Sequence, residues 1–236
     1  MTYKGYELPR LIPGKLIRRY KRFLADIELE TGEVVIAHCA NSGSMRGCAT
    51  PGDPVWISPS DNPKRKLNYT WELIQSKDSM IGVNTLVPNR LVKASIENGL
   101  ISELKEYTRV TSEVKTSDHT RLDLLLENGA GKRCYVEIKN CTLVEEGVAM
   151  FPDAVTLRGQ KHLDELVELK ARGHRAVIFY LIQRMDAKEF TPAVMIDGVY
   201  AQKLNHAVEN GVEIITRDTA IDTGYISLRR AVPVRL

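Results

Sequence analysis

Cysteine is scarce in this chain and never closely paired. Cys39, Cys48, Cys134 and Cys141 include no C-x-x-C, and no histidine cluster accompanies them. That spacing argues against a zinc site and leads us to expect buried free thiols in a reducing cytosol. There are only five histidines, and none has a Ser or Cys partner in a recognisable motif. The Gly/Ser-rich stretch NSGSMRG (Asn41–Gly47) lacks the G-K-[ST] of a P-loop, which disfavours nucleoside triphosphate binding. It either cradles a phosphate or simply turns the chain. Long apolar runs are missing as well. No segment nears the ~20 residues needed to span a membrane, and MTYKGYELPRLIPGK has no apolar run of signal-peptide length. The expected location is the cytoplasm, with no membrane partner. There is no internal repeat and no low-complexity tract.

What is present is the composition of a globular protein: 236 residues, 43% hydrophobic and 27% charged. The net charge of +3 lies wholly within residues 1–82, and residues 83–236 balance to zero. The excess sits in RRYKR (Arg18–Arg22) and KRK (Lys64–Lys66). Basic residues beside aromatics suit a polyanion, with backbone tracking plus base stacking. Arg18, Arg19, Lys21 and Arg22, next to Tyr20 and Phe23, are therefore candidate DNA contacts. The competing reading is an ordinary solvated surface, with Tyr20 or Phe23 in a core.

The first 80 residues read as all-β. Expected strands are Gly14–Arg19, Arg22–Leu29, Glu33–Ala40, Pro54–Pro59 and Leu67–Gln75, separated by ETGE, NSGSMRG, TPGD and SDNP turns. Five short strands predict a small Greek-key barrel of the OB type. The pattern changes near Ile81–Asn84. Residues 84–106 read as helical with a break at Asn98-Gly99. Strands Thr108–Thr116, Arg121–Glu127 and Arg133–Asn140 follow. A helix over Thr156–Arg172, a strand Ala176–Gln183, a helix Gly198–Asn210 and strands Val212–Thr216 and Tyr225–Arg229 complete the chain. This order predicts a mixed sheet with helices against it. The expected organisation is an OB-like barrel over 1–82 and an α/β domain over 83–236.

One hairpin carries the chemistry: RLDLLLENGAGKRCYVEIKN (Arg121–Asn140). Pairing Glu127 with Arg133 sets Leu126 against Cys134, Leu124 against Val136 and Leu122 against Ile138, on one apolar face. On the other face Asp123 falls opposite Glu137, and Lys139 shares that face. Like charges directly opposite are destabilising on a sheet, unless a cation sits between them or one carboxylate is protonated. Two converging carboxylates are what a Mg²⁺ or Mn²⁺ site uses, with water and substrate phosphate completing the octahedron. Lys139 would stabilise the charge that develops on a phosphodiester. An E-x-K triplet alone is common on solvated strand faces, and Glu113-Val-Lys115 is a second copy. If the strand Thr108–Thr116 pairs with Arg121–Glu127 through a turn near Ser117–His119, Glu113 joins the site as a further ligand.

The motifs L-D-L-L-L and Y-V-E-I-K-N, followed by a helix, resemble the PD-(D/E)XK nuclease superfamily. RYKRFLADIEL, HCANSGSMRGCATPGD, SEVKTSDHTRLDLLL, CYVEIKNCTL and FPDAVTLRGQKHLDEL are similar, nearly end to end, to the sugar fermentation stimulation protein A (SfsA) family. The resemblance implies an OB-like domain before a nuclease-like domain, with Asp123, Glu137 and Lys139 at the catalytic positions. It also implies DNA binding without strong sequence preference and a regulatory role in sugar (maltose-type) metabolism. The proline of the superfamily's name is absent before Asp123. Pro152-Asp153 lies downstream of the E-x-K strand and is a different pair.

The helix after that strand opens with Arg158, Gln160, Lys161 and His162. Its N-terminus and basic side chains suit phosphate contacts, opposite a core-directed stripe of Leu163, Leu166 and Val167. The expected function is metal-dependent phosphodiester hydrolysis on DNA. The alternatives are a non-enzymatic DNA-binding regulator that keeps the nuclease fold, and an enzyme acting on a small phosphorylated substrate.

Overall fold

The short β-branched segments at the front of the chain close on themselves. A computed structural model describes residues 3–77, 79–117 and 120–236. After a two-residue strand β1 (Tyr6–Glu7) come β2 (Ile12–Tyr20), β3 (Leu24–Leu29), β4 (Val34–Cys39), β5 (Pro54–Pro59) and β6 (Tyr69–Ser76). They lie in the order β4-β3-β2-β5-β6, and β4 returns to pair in parallel with β6. Five strands thus form the closed OB barrel. Alternation drives the closure. Ala25 and Ile27 on β3, Val35 and Ala37 on β4, and Val55 and Ile57 on β5 point inward around Leu16 and Trp71. A further strand, β7 (Ser79–Gly82), lies outside the ring on β6.

The rest of the chain is an α/β domain with a mixed sheet. Its elements are α1 (Val87–Glu97), β8 (Arg109–Lys115), β9 (Arg121–Glu127), β10 (Arg133–Cys141), β11 (Leu143–Glu145), β12 (Val148–Phe151), α2 (Leu157–Ala171), β13 (Arg175–Ile182), β14 (Glu189–Pro192), α3 (Gly198–Glu209), β15 (Glu213–Ile221) and β16 (Tyr225–Ala231). The main sheet has the order β1-β16-β15-β13-β10-β9-β8. Its centre, β10, β13 and β15, is parallel, and its flanks are antiparallel. From Ala176 onward β13 is buried on both faces: Val177, Phe179 and Leu181 pack toward α1, while Ile178, Tyr180 and Ile182 pack toward α2 and α3.

The helical stretch of residues 84–106 breaks at Asn98-Gly99 as the sequence predicts: α1 ends at Glu97, Asn98 caps it and Gly99 takes φ 67°. Two features depart from the sequence expectation. β1 pairs with β16 and Leu8 packs in the α1 core, so the 1–82 unit gives its first strand to the second domain. The three-stranded sheet β11-β12-β14 is unforeseen because its strands are only three to four residues long. The domains meet directly. The Gly82 N–H donates to the Gln183 carbonyl at 3.0 Å, and a Cβ on Gly82 would lie 2.5 Å from Gln183 Oε1. The turn expected at Ser117–His119 includes Asp118 and His119, which lie outside the described residues.

Candidate active site

The hairpin register is the one the sequence predicts, from Arg133 opposite Glu127 to Val136 opposite Leu124. The regular ladder stops there. Asp123 Oδ2 accepts a hydrogen bond from the Ile138 backbone N–H at 2.8 Å, so a side chain takes the place of a strand carbonyl. The alternation breaks at the same level. Leu124 packs in the α1 core, whereas Leu122 packs with Tyr135 in the α2 core. This corrects the expectation of one unbroken apolar face. On the neighbouring strand Glu113 adopts φ 57°, in the left-handed region. It turns out of the pleat, is exposed, and pairs with Arg121 at 3.8 Å. Glu113 therefore does not join the carboxylates, contrary to the sequence reading that offered it as a further ligand.

Asp123 and Glu137 are held from opposite layers. Asn89 on α1 donates from Nδ2 to Asp123 Oδ1 at 2.8 Å. His162 on α2 donates from Nδ1 to Glu137 Oε1. Lys139 Nζ reaches the same Oε1 at 2.5 Å. Arg158 Nε lies 3.3 Å from His162 Nε2. A guanidinium only donates and a carboxylate only accepts, so these two partners fix the Nδ1–H tautomer of His162. Glu137 is 3% exposed, and its second oxygen, Oε2, is buried without a partner.

The electrostatics separate the two acids. Burial raises the Asp123 carboxyl to about 6, and the nearby Glu137 charge pushes the same way. Burial also acts to raise Glu137, but the Lys139 ammonium and the His162 hydrogen bond outweigh it and hold Glu137 below its ordinary value. Asp123 thus carries the strain of the pair. A divalent cation fits this donor set: two carboxylates lining one cleft, one with an unused buried oxygen and the other an acid whose hydrogen bonds from Asn89 and Ile138 do not offset its burial.

The pair opens into a cleft of about 680 Å³ between the barrel and the sheet. Asp123, Glu137, Lys139 and Asn140 line one side, and Arg19, Arg22 and the Asn41–Ser44 loop line the other. Arg158 and Asp153 complete the rim. Arg22 points from a tight turn, where Lys21 and Arg22 have φ 48° and 63°. Arg19 lines the cleft, but its guanidinium is engaged by the carbonyls of Arg22, Asn41, Gly43 and Ser44.

Arg18, Lys21, Gln160 and Lys161 are not brought to the cleft. Arg18 pairs with Asp26 at 2.7 Å and lies over the Tyr20 ring. Lys21 and Lys161 are exposed elsewhere. Gln160 is buried, and its amide donates to the Asp197 carboxylate that caps α3. No sequence signal points to Asn89, which sits in an ordinary helical pattern and reaches Asp123 only through the layering. Lys64 of the second basic run is exposed. Arg65 and Lys66 line a separate hollow of about 480 Å³ with His38, Glu72 and Arg90.

Comparison with known proteins matches both halves. Residues 17–83 match the SfsA N-terminal OB domain, and residues 86–225 match the sugar fermentation stimulation protein RE domain. A sugar fermentation stimulation protein homolog of Geotalea uraniireducens is 53% identical over 226 residues, covering 96% of this chain and 97% of the relative. Its counterpart in Geobacter sulfurreducens is 54% identical over 228 residues, covering 96% and 97%. Among solved structures, Pyrococcus furiosus SfsA in complex with Ca²⁺ superposes with a TM-score of 0.91 at 27% identity, over 99% of this chain and 100% of that one.

Proposed function

The chain belongs to the sugar fermentation stimulation protein family, and from that premise we propose that it binds DNA and hydrolyses phosphodiester bonds. The observation that carries this reading is the single cleft holding Asp123, Glu137 and Lys139, with Glu137 Oε2 buried and unpartnered. Asp123 and Glu137 are the residues that would hold Mg²⁺ or Mn²⁺. The Ca²⁺ complex of the archaeal relative supports this, since Ca²⁺ and Mg²⁺ share a preference for oxygen ligands. When bound, such a cation polarises phosphoryl oxygens and lowers the pKa of coordinated water. Hydrolysis adds the water oxygen to phosphorus and breaks the bond to one sugar oxygen, which takes up the proton that the water loses. Lys139 would orient that water or balance the phosphoryl charge. His162 and Asn89 keep the two carboxylates in place. Arg22 and Arg158 offer cations to the flanking phosphates.

One observation favours a second reading. Lys139 already neutralises Glu137 at 2.5 Å, as an internal counter-ion would in a DNA-binding regulator that keeps the fold without catalysis. Calorimetric Mn²⁺ titration of the wild type and Asp123→Asn, paired with cleavage of fluorescent DNA, separates the two. Binding and cleavage lost together in the variant support the nuclease. No metal binding by the wild type ends the nuclease reading and leaves the regulator.

A further inference from the structure

The two walls of the cleft are joined to each other on one side. Asp153 Oδ2, from the loop after β12, accepts hydrogen bonds from the Met45 N–H at 3.0 Å and from Ser44 Oγ at 3.3 Å on the barrel. The approach is close enough that a side chain at Gly43 would have to push the Asp153 carboxylate aside. A Cβ on Gly43 would lie 2.5 Å from Asp153 Oδ2. The barrel loop is also stiffened from behind, where Arg19 donates to the carbonyls of Asn41 and Gly43 at 2.9 Å each and to that of Ser44 at 3.3 Å. Asn41 Oδ1 accepts from the Gly43 N–H at 2.8 Å. Pro152-Asp153, which copies the superfamily's dipeptide without its position, serves as an interdomain latch.

A latched wall restricts what the carboxylates can meet. The cleft, about 680 Å³, is in the size range of small-ligand sites and is open to solvent. It has room for about one or two nucleotides, whereas a double helix presents grooves of about 6–12 Å within a wider body. Glu137 is only 3% exposed and lines the cleft, so the phosphodiester must enter it, which one strand can do without bringing a second backbone past the joined wall.

Resting on the nuclease reading above, we propose that the substrate is a single nucleic-acid strand, or a frayed end, threaded along the Asn41–Ser44 loop. Arg22 on the barrel and Arg158 on α2 meet its phosphates on the two sides of Asp123 and Glu137. The joined wall at Asp153 keeps intact duplex away from the carboxylates.

The test uses the full chain and one labelled oligonucleotide, alone or annealed to its complement. Binding is read by anisotropy in Ca²⁺ and cutting in Mn²⁺. We expect the single strand to be bound and cut about tenfold or more better than the blunt duplex. Asp153→Ala should move the ratio toward one by raising the duplex rate. Gly43→Val, which pushes the loop off Asp153 by bulk instead of by lost hydrogen bonds, should do the same, so a folding defect in one variant does not decide the matter. Equal or better handling of duplex by the wild type overturns the inference and leaves the nuclease reading standing. An unchanged ratio in both folded variants overturns the latch. Strand preference in binding with no cutting in Mn²⁺ or Mg²⁺ sinks hydrolysis and upholds the strand preference.

Discussion

Asp123 Oδ2 and the Ile138 N–H, 2.8 Å apart, make one carboxylate both a sheet component and a candidate metal ligand. The two roles predict a stability order. Asp123 is raised from 3.8 to about 6, so its protonated form is favoured in the folded state. Stability from this group is complete below the unfolded value and is lost as pH rises through about 6. Asp123→Asn removes that penalty and keeps an acceptor for Ile138, while the Asn89 amide can flip to match. Asp123→Ala also removes the charge but leaves the Ile138 N–H unpaired, which costs about 1–3 kcal/mol. Urea unfolding without metal at pH 7.5 should rank Asn above both wild type and Ala, by about 1 kcal/mol or more. At pH 4 the advantage over wild type should close.

Metal affinity should follow the same acid. Below about 6 a cation must displace a proton from Asp123, and above it none is displaced. The apparent Mn²⁺ association constant should fall about tenfold per pH unit below that value and level off above it. Calorimetry in buffers of different ionisation enthalpy would count the proton released. A flat affinity between pH 5 and 7 would mean that Asp123 is not a ligand or that its carboxyl is not raised by burial, and the same titration of Asp123→Asn tells the two apart.

Much of this architecture is legible in the sequence because burial imposes a period. Pro54–Pro59 is a strand with the expected bounds, and the barrel closes as the five-strand count predicts. The hairpin register follows from turn length and from Leu and Val alternation. Legibility ends where side chains replace backbone partners. Asp123 interrupts the ladder, Glu113 leaves the pleat at positive φ, and Leu122 changes core. Gln160 and Arg19 look like DNA contacts because they are polar and well placed in sequence. Their hydrogen bonds go to Asp197 and to loop carbonyls, and only packing reveals that.

Lys139 separates charge balance from catalysis. Its ammonium and the His162 Nδ1–H share Glu137 Oε1. Lys139→Met removes the ammonium and leaves His162 to hold the carboxylate. Cleavage should drop by about 10²-fold or more, the usual cost of losing one aimed donor. Mn²⁺ binding should be retained or strengthened, because a competing cation has gone. Single-turnover cleavage alongside metal titration checks both halves. Wild-type cleavage in this variant would leave Lys139 with a structural role alone.

The thiols offer an independent check on packing. All four cysteines are free and buried. Burial pushes Cys48, Cys134 and Cys141 up to about 12, so thiolate is scarce at neutral pH. A chromogenic disulfide reagent should label the native protein slowly and incompletely, and all four sites should react once guanidinium unfolds the chain. Fast labelling of the native state would contradict the packing of the barrel or sheet cores.

Salt dependence distinguishes the arginines that the cleft recruits from those it does not. Each phosphate contact releases counterions, contributing about 0.7–0.9 to the slope of log affinity against log salt. Arg22 and Arg158 line the cleft from opposite domains, whereas Arg18 is tied to Asp26 outside it. All three are exposed, so sequence and surface charge rank them equally. Arg22→Ala and Arg158→Ala should each flatten the slope by about one contact, and the double variant by about two. Arg18→Ala should leave it unchanged. Anisotropy titrations across a salt series measure these slopes without requiring turnover. A slope that falls with Arg18 and holds with Arg22 would move the nucleic-acid path away from the carboxylates, onto the outer face of β2.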